Sequence, residues 1–238
     1  MSGRQEAFIK GASLQKTRAL YFGDGLLTSD GDLHDSQRRL LQPIFHGRRM
    51  AQYGDVTVGL TQAHLAGWQP GAILDMHEEM RRLMPAVIVE NLLSCHLGGD
   101  EAQVISALVS DGLDAMKTLT RPGYGARRRL RFPAVRRLQR VSRSLRAIVA
   151  GFMDRRGPLP DEDGDLISVL LRASACEASP GGHRLARDEV MTMLLAGHET
   201  TSDALAFAWY LLATHPHGCR TTPDRAGLGA GRSSSYCR

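Results

Sequence analysis

The stretch MTMLLAGHETTSDALAFAWYLL, residues 191–212, carries a run of six polar residues, His198 to Asp203, inside an otherwise apolar segment. Helical periodicity predicts a helix from about Asp188 to Ala213. Apolar residues occupy nearly every face of it, as expected of a helix that is buried on all sides. Polar side chains in such a helix are costly unless something satisfies them, so the run indicates either local hydrogen bonding or a functional site.

One turn of this helix combines several chemically useful groups. Gly197 allows close approach to the backbone, Glu199 supplies a carboxylate and Thr200 a hydroxyl. A threonine in mid-helix bonds back to a carbonyl three or four residues earlier, here that of Gly197 or Ala196, and bends the helix. The resulting groove has an alcohol at its edge and a carboxylate behind it, which suits proton delivery into a dry site.

Two other interpretations of the polar run compete with this one. Serine and threonine in helices commonly satisfy their own hydrogen bonds and have no further role. The pair His198-Glu199 also begins the HExxH pattern, in which two histidines one turn apart bind zinc. The fifth position here is Ser202, so the zinc-protease interpretation is excluded.

The heptapeptide AGHETTS, residues 196–202, resembles the oxygen-binding helix of cytochromes P450, whose pattern is A/G-G-x-D/E-T-T/S. The similarity extends through DEVMTMLLAGHETTSDALAFAWYLLATHP, residues 188–216. The resemblance implies a mostly α fold and a haem cofactor. It also implies redox partner proteins and a small organic substrate, into which one oxygen atom of O2 is inserted.

A second match to the same family lies in SDGDLHDSQRRLLQPIFH, residues 29–46. Many soluble members have an aromatic residue or a histidine followed four positions later by an arginine, here His34 and Arg38. Four positions are about one helical turn, so both side chains project from the same face. The resemblance implies that they anchor a haem propionate, for which the forked donors of arginine are suited.

The resemblance assigns roles to four residues of the polar turn. Gly197 would let dioxygen lie against the helix, and Ala196 would face the haem or the substrate. Glu199 and Thr200 would be the catalytic pair that governs proton delivery to the oxygen site.

No metal ligand is predicted, because the sequence has no counterpart of the glycine-rich loop whose cysteine thiolate ligates haem iron. Cys219 in HPHGCRTT and Cys237 in SSSYCR lack the flanking pattern of that loop. The ExxR helix and the amino-terminal helices and strands of the family are also expected to be absent. The sequence therefore predicts a partial fold, an internal fragment from the propionate-binding helix to the oxygen-binding helix.

Three segments follow from the pattern along the chain. Residues 1–30 form a turn-rich lead-in, residues 31–216 a helical segment similar to the family, and residues 217–238 a Gly-, Arg- and Ser-rich tail. The tail is predicted to be disordered and is consistent with a shifted reading frame. Further predicted helices cover residues 50–68, 99–118, 127–156 and 165–175. Another is capped by Asp75, and Pro85 is expected to kink it or to mark an altered turn.

The composition of the chain restricts the classes of function that it can have. A hydrophobic fraction of 42% and a net charge of +5 are ordinary for a soluble protein. The basic stretch from Arg127 to Arg146 has no interleaved aromatic residues for base stacking, which favours a solvated helix face over nucleic-acid binding. No apolar run is long enough to span a membrane and no signal peptide is recognisable, so a cytoplasmic protein is expected. The cysteines, Cys95, Cys176, Cys219 and Cys237, predict neither a zinc site nor a disulfide framework.

Two functional hypotheses remain open from the sequence. The first is a haem-thiolate monooxygenase by family, with this chain truncated and inactive. The second is a non-catalytic helical remnant that binds an apolar ligand or a partner, or has no function. Under both, the last helix lacks packing partners, so exposed apolar surface and poor solubility are expected.

Overall fold

The computed structural model describes residues 9–11, 14–15, 21–120, 128–155, 165–176 and 182–215. These ranges contain helices and turns and no β-strand, which confirms the mostly α prediction. In chain order the helices are α1 (Gly31–Leu41), α2 (Gly47–Ala66), α3 (Met76–Leu93), α4 (Gly99–Thr120), α5 (Arg128–Arg155), α6 (Leu166–Cys176) and α7 (Gly182–Thr214), with a 3-10 turn, Gln42–Phe45, after α1. None of these helices is long and apolar enough to cross a membrane. The predicted tail lies outside the described residues.

Helix α3 begins where its capping residue predicted. The side chain of Asp75 accepts hydrogen bonds from the backbone N–H groups of His77 and Glu78, at 3.0 and 3.2 Å. These bonds satisfy two of the amide groups that have no partner within a helix. Pro85 lies inside α3, which continues past it to Leu93 and ends at Ser94 in the left-handed conformation, with φ +49°.

Helix α7 begins at Gly182, six residues before the predicted start at Asp188. A Cβ atom added to Gly182 would lie 2.9 Å from Cβ of Ser174 on α6. Because Gly182 has no side chain, the start of α7 can lie against α6. The observed end, Thr214, is one residue beyond the predicted Ala213.

The first half of α7 forms the centre of the hydrophobic core. It packs against α3 on one side and against α6 and α5 on the others. The apolar side chains at this centre are fully or almost fully buried, and on α7 they include Val190, Met191, Leu194 and Leu195. Burial of such side chains stabilises a fold by roughly 1.5–3 kcal/mol each, so this half of α7 is fixed by packing.

The segment before α1, residues 21–30, packs against α7 through its backbone. The N–H of Asp24 donates to Oδ2 of Asp188 and that of Leu26 to Oε2 of Glu189, both at 3.0 Å. Gly25 is required for this close approach, because a Cβ atom there would lie 2.6 Å from the carbonyl oxygen of Asp188. Two buried carboxylates of α7 thereby fix the segment that leads into α1.

The second half of α7 contradicts the prediction of a helix that is buried on all sides. From Asp203 to His215 every described residue except the half-buried Ala206 is exposed. The large apolar side chains left in contact with solvent are Leu205, Phe207, Trp209, Tyr210, Leu211 and Leu212. The apolar pattern is present as predicted, but the described residues contact this end at few points, such as Trp68, whose ring centroid lies 6.3 Å from that of Trp209. The expected exposed apolar surface is present.

We expect this exposed half of α7 to drive self-association. Replacing Phe207 and Leu211 together by serine should shift concentrated protein from aggregates towards monomer, because contiguous apolar patches are aggregation sites. Sedimentation velocity over a concentration series measures the shift. The control replaces two other exposed apolar residues, Ile73 and Val104, by serine. An equal shift with the control, or none with the first pair, would contradict the prediction.

Candidate functional site

The polar run of α7 divides between two opposite faces of the helix. His198 and Ser202 are fully buried against α3, where His198 Nε2 donates to the carbonyl of Arg81 at 3.2 Å. Ala196 and Thr200 lie on the exposed side. The polar run therefore has a buried side, with His198 and Ser202, and an exposed side on which Thr200 lies one turn after Ala196.

His198 belongs to the structural half. Because Nε2 donates to a carbonyl, the proton of the neutral ring sits on Nε2. Burial lowers the pKa of His198, which favours the uncharged form. Its other nitrogen, Nδ1, is 3.9 Å from Oε2 of Glu199, beyond hydrogen-bond distance. Its hydrogen bond to the carbonyl of Arg81 explains why a histidine lies at this buried position, and no role as a metal ligand is needed.

Thr200 bonds back to the helix as the sequence predicted. Its Oγ1 donates to the carbonyl oxygen of Ala196 at 2.6 Å, and both residues are exposed. Because the hydroxyl proton is engaged with Ala196, the Thr200 oxygen presents lone pairs to whatever lies on the exposed face. Rotation of the hydroxyl reverses this and offers a proton, so the group can accept or donate.

Glu199 lies between the two faces. Its side chain is 25% exposed, while Oε2 is buried and makes no hydrogen bond to a described residue. A carboxylate with one buried oxygen and a partly exposed remainder can exchange protons with solvent. The acid–alcohol pair of Glu199 and Thr200 stays a prediction.

Gly197 faces α3. A Cβ atom on Gly197 would lie 3.1 Å from Cδ1 of Ile88, a contact tighter than ordinary packing. The missing side chain therefore makes room for Ile88 in the structure. Its predicted role of admitting dioxygen is not tested by this contact.

The two predicted propionate residues differ in their surroundings. His34 is half-buried, and its Nδ1 lies 3.2 Å from the carbonyl of Leu26 and 3.3 Å from Nζ of Lys10. Arg38, one turn later on α1, is exposed. His34 thus holds the lead-in segment to α1, while the guanidinium of Arg38 is accessible to an anionic group. No pattern in the sequence pointed to Lys10.

Some of the described residues offer groups that fit one side of a haem pocket. The exposed turn of Ala196 and Thr200 offers a small, polar-edged helix face, and Arg38 offers an accessible donor fork. Within the described ranges no three His, Cys, Asp or Glu side chains are grouped to hold a metal ion. Cys95 follows the end of α3 and its Sγ donates to the carbonyl of Leu93 at 3.3 Å.

Helix α7 also carries a buried acidic pair that the sequence did not predict. Asp188 and Glu189 are 0% and 1% exposed, and Asp188 forms an ion pair with Arg146 of α5. Burial raises the pKa of Glu189 to about 7, and the hydrogen bond from the N–H of Leu26 opposes this rise. The negative charge of Asp188 raises it further and the charge of Lys10 lowers it. The only indication of this pair in the sequence was that two acidic residues are adjacent at the start of an apolar run.

Comparisons with known proteins agree with these observations. The family model for cytochrome P450 matches residues 3–220, a wider range than the sequence motifs alone suggested. Cyclooctat-9-en-7-ol 5-monooxygenase of Streptomyces melanosporofaciens is 37% identical over 215 residues, which are 88% of this chain and 46% of that protein. Cyclooctatin synthase of the same organism is 34% identical over 82% of this chain and 43% of its own length.

Solved structures show the same partial coverage. The haem domain of a cytochrome P450DA mutant superposes with a TM-score of 0.67 at 28% identity, covering 86% of this chain and 45% of that structure. A six-coordinated cytochrome P450 from Thermus thermophilus has a TM-score of 0.64 at 19% identity over 90% of this chain and 50% of that structure, which supports the fold alone. The chain spans about half the length of the proteins that it matches.

Proposed function

Because this chain belongs to the cytochrome P450 family, we propose that it supplies the oxygen-side wall of a haem monooxygenase. The observation that carries the proposal is the exposed turn of α7, where Thr200 bonds back to Ala196 at 2.6 Å with Glu199 beside it. This turn is the one place on the described part of α7 where the family motif, an alcohol, a carboxylate and an accessible helix face coincide.

Haem with a thiolate ligand would supply the activation of dioxygen in this family. The residues of this chain would then bind, orient and deliver protons. Arg38 would hold a propionate through its guanidinium, with His34 fixing the lead-in segment beside it. Ala196 would pack on the haem or the substrate, and Gly197 would let dioxygen lie against the helix. The Thr200 hydroxyl would pass a proton inward from its Oγ1, and Glu199 would replace that proton.

We propose a small, largely apolar organic substrate and separate redox partner proteins. One of the Streptomyces relatives supports the substrate class, since it is named for the oxidation of cyclooctat-9-en-7-ol, an alcohol on a hydrocarbon skeleton. Turnover by this chain alone is not part of the proposal, because the sequence lacks the thiolate loop pattern. On this view the chain by itself is inactive and a thiolate must come from a further segment.

The second candidate function is non-catalytic. The exposed apolar half of α7 favours it, because this surface fits an apolar ligand or a protein partner without any haem chemistry. The two candidates differ in whether the Ala196–Thr200 turn contacts haem.

The difference spectrum of the reduced, CO-treated chain after incubation with haem tests the ligand prediction. We expect no band of the thiolate-ligated type from the isolated chain. Such a band, abolished by one cysteine-to-alanine substitution, would show that a cysteine of this chain reaches iron and would contradict the proposed missing ligand. The absence of any haem uptake by the chain, and by the chimera described next, would favour the non-catalytic candidate.

A chimera tests the proposed wall itself. Residues 3–220 would replace the matching half of cyclooctat-9-en-7-ol 5-monooxygenase, whose remaining half supplies the thiolate. Replacing Thr200 by valine in this chimera should lower turnover about a hundredfold at unchanged haem content, because positioned proton transfer has roughly that value. Thr201→Val is the matched control, since Thr201 is an exposed threonine one position away. Equal losses in both variants would contradict the role of Thr200.

A further inference from the structure

The half-buried side chain of Lys10 joins the first described residues of the chain to helix α1. Its Nζ donates to the carbonyl of Leu26 at 2.7 Å and to the carbonyl of Ser29. The same Nζ lies 3.3 Å from Nδ1 of His34. The backbone N–H of Lys10 donates to Oδ1 of Asp30, the residue before α1, at 3.2 Å. Both the backbone and the side chain of Lys10 are therefore held at the amino-terminal end of α1.

The neutral ring of His34 can carry its proton on either nitrogen, and the two forms differ in what Nδ1 does. Nδ1 lies 3.2 Å from the carbonyl oxygen of Leu26, so a proton on Nδ1 would be donated to that carbonyl. With the proton on Nε2, Nδ1 is an acceptor for the Lys10 ammonium. Because one nitrogen cannot donate and accept at once, only one of these two contacts is a hydrogen bond.

The geometry around Nζ favours the form with the proton on Nε2. A proton on Nδ1 would place two donors against each other at 3.3 Å, one of them positively charged. It would also compete for the Leu26 carbonyl with Nζ, which lies closer to that oxygen, at 2.7 Å. With the proton on Nε2, the third proton of the ammonium has an acceptor and forms a charge-assisted hydrogen bond.

The peptide of Leu26 is fixed from its other side as well. Its N–H donates to Oε2 of Glu189 on α7 at 3.0 Å, and Glu189 is 1% exposed. The carbonyl that Lys10 and His34 share is therefore held in place by the buried part of α7. This contact joins the predicted propionate residue to the helix that carries the oxygen-binding motif through one residue, Leu26.

We propose that Lys10 is a positioning residue for His34, whose neutral ring it holds in the form with the proton on Nε2. Nε2 makes no hydrogen bond within the described part of the chain, so its N–H is left to donate to an anionic group. The exposed guanidinium of Arg38, one turn later on α1, adds donors for the same group. That this group is a haem propionate rests on the proposed function, whereas the proton position is a property of this chain alone.

Magic-angle-spinning NMR of the full chain with 13C- and 15N-labelled histidine measures the proton position without haem. Protonated and unprotonated ring nitrogens give well-separated 15N signals, and those of His34 are identified by their loss in His34→Gln. We expect the neutral wild-type ring to carry its proton on Nε2. In Lys10→Met the proton should move to Nδ1, because the carbonyl of Leu26, 3.2 Å away, then becomes its acceptor.

Lys117→Met is the matched control, because Lys117 pairs with Asp114 at 3.4 Å on α4 and should leave the ring unchanged. A proton on Nδ1 in the wild type, or a proton that stays on Nε2 in Lys10→Met, would overturn the proposal. A test that needs no variant uses wild-type chain labelled also at lysine. Magnetisation should pass from the Nζ protons of Lys10 to Nδ1 of His34 and not to Nε2, and failure of this transfer would refute the contact.

The chimera with cyclooctat-9-en-7-ol 5-monooxygenase separates this proposal from the proposed function. His34→Phe and Lys10→Met should each raise its rate of haem loss roughly tenfold, because each removes one hydrogen bond to a charged group. The double variant should lose haem no faster than His34→Phe. Haem that is retained in His34→Phe would contradict the propionate role and leave the NMR result standing. Faster loss in His34→Phe but not in Lys10→Met would overturn the positioning role of Lys10.

Discussion

Replacing Asp188 by alanine is expected to destabilise the folded chain by about 3 kcal/mol, the typical cost of breaking a buried ion pair. The carboxylate is fully buried, pairs with Arg146 of α5, and accepts the N–H of Asp24 at 3.0 Å. Its loss leaves the guanidinium of Arg146 without its partner and releases the lead-in segment from α7. Urea denaturation followed by circular dichroism measures the change.

Asp114→Ala is the control for this experiment. Asp114 pairs with Lys117 at 3.4 Å on the surface of α4, where both side chains are more than half exposed. Exposed pairs contribute roughly 0–1 kcal/mol, so the control should change the free energy of unfolding little. If Asp188→Ala and Asp114→Ala had equal effects, the buried ion pair would not be what joins α5, α7 and the lead-in segment.

The second large effect is a pH dependence that Glu189 imposes on stability. Burial raises the pKa of this carboxyl from 4.5 to about 7 in the folded chain. The folded state therefore binds more protons than the unfolded state between these values, and stability falls as pH rises through this window. Between pH 5 and pH 8 the loss attributable to Glu189 should be roughly 2 kcal/mol.

Glu189→Gln should remove this component, because glutamine resembles the protonated acid and does not titrate. Relative to the wild type, the variant should be more stable by roughly 3 kcal/mol at pH 8 and by only about 1 kcal/mol at pH 5. Urea denaturation at both pH values gives the comparison. Glu101→Gln is the control, since Glu101 is an exposed acid paired with Arg155 at 3.4 Å. A stability difference that does not vary with pH would contradict the raised pKa.

Local features of the chain were predictable from sequence because their causes are local. The cap at Asp75 requires only an acceptor before two free amides. The back-bond from Thr200 to Ala196 requires only a helix and a spacing of four residues. The helices themselves follow from apolar periodicity, and their ends differ by a few residues, the most at Gly182.

Burial along α7 was not predictable in the same way. Apolar residues on all faces indicated complete burial, yet only the first half is covered by the described helices. A hydrophobic pattern indicates which side chains favour burial. Whether another segment packs on them depends on distant parts of the chain. The acid pair Asp188-Glu189 shows the same limit, because Asp24, the partner of Asp188, is separated from it by 164 residues.

By itself, the sequence determined that this protein is helical, that its polar turn matches the cytochrome P450 pattern A/G-G-x-D/E-T-T/S, and that Thr200 bonds back to its own helix. Only the tertiary structure decided which polar residues face inward. His198 satisfies the carbonyl of Arg81, 117 residues away, and Ser202 that of Met80, so the exposed face is left to Ala196 and Thr200. The reason is that helical spacing fixes which side chains share a face, whereas contacts from distant segments fix which face is buried.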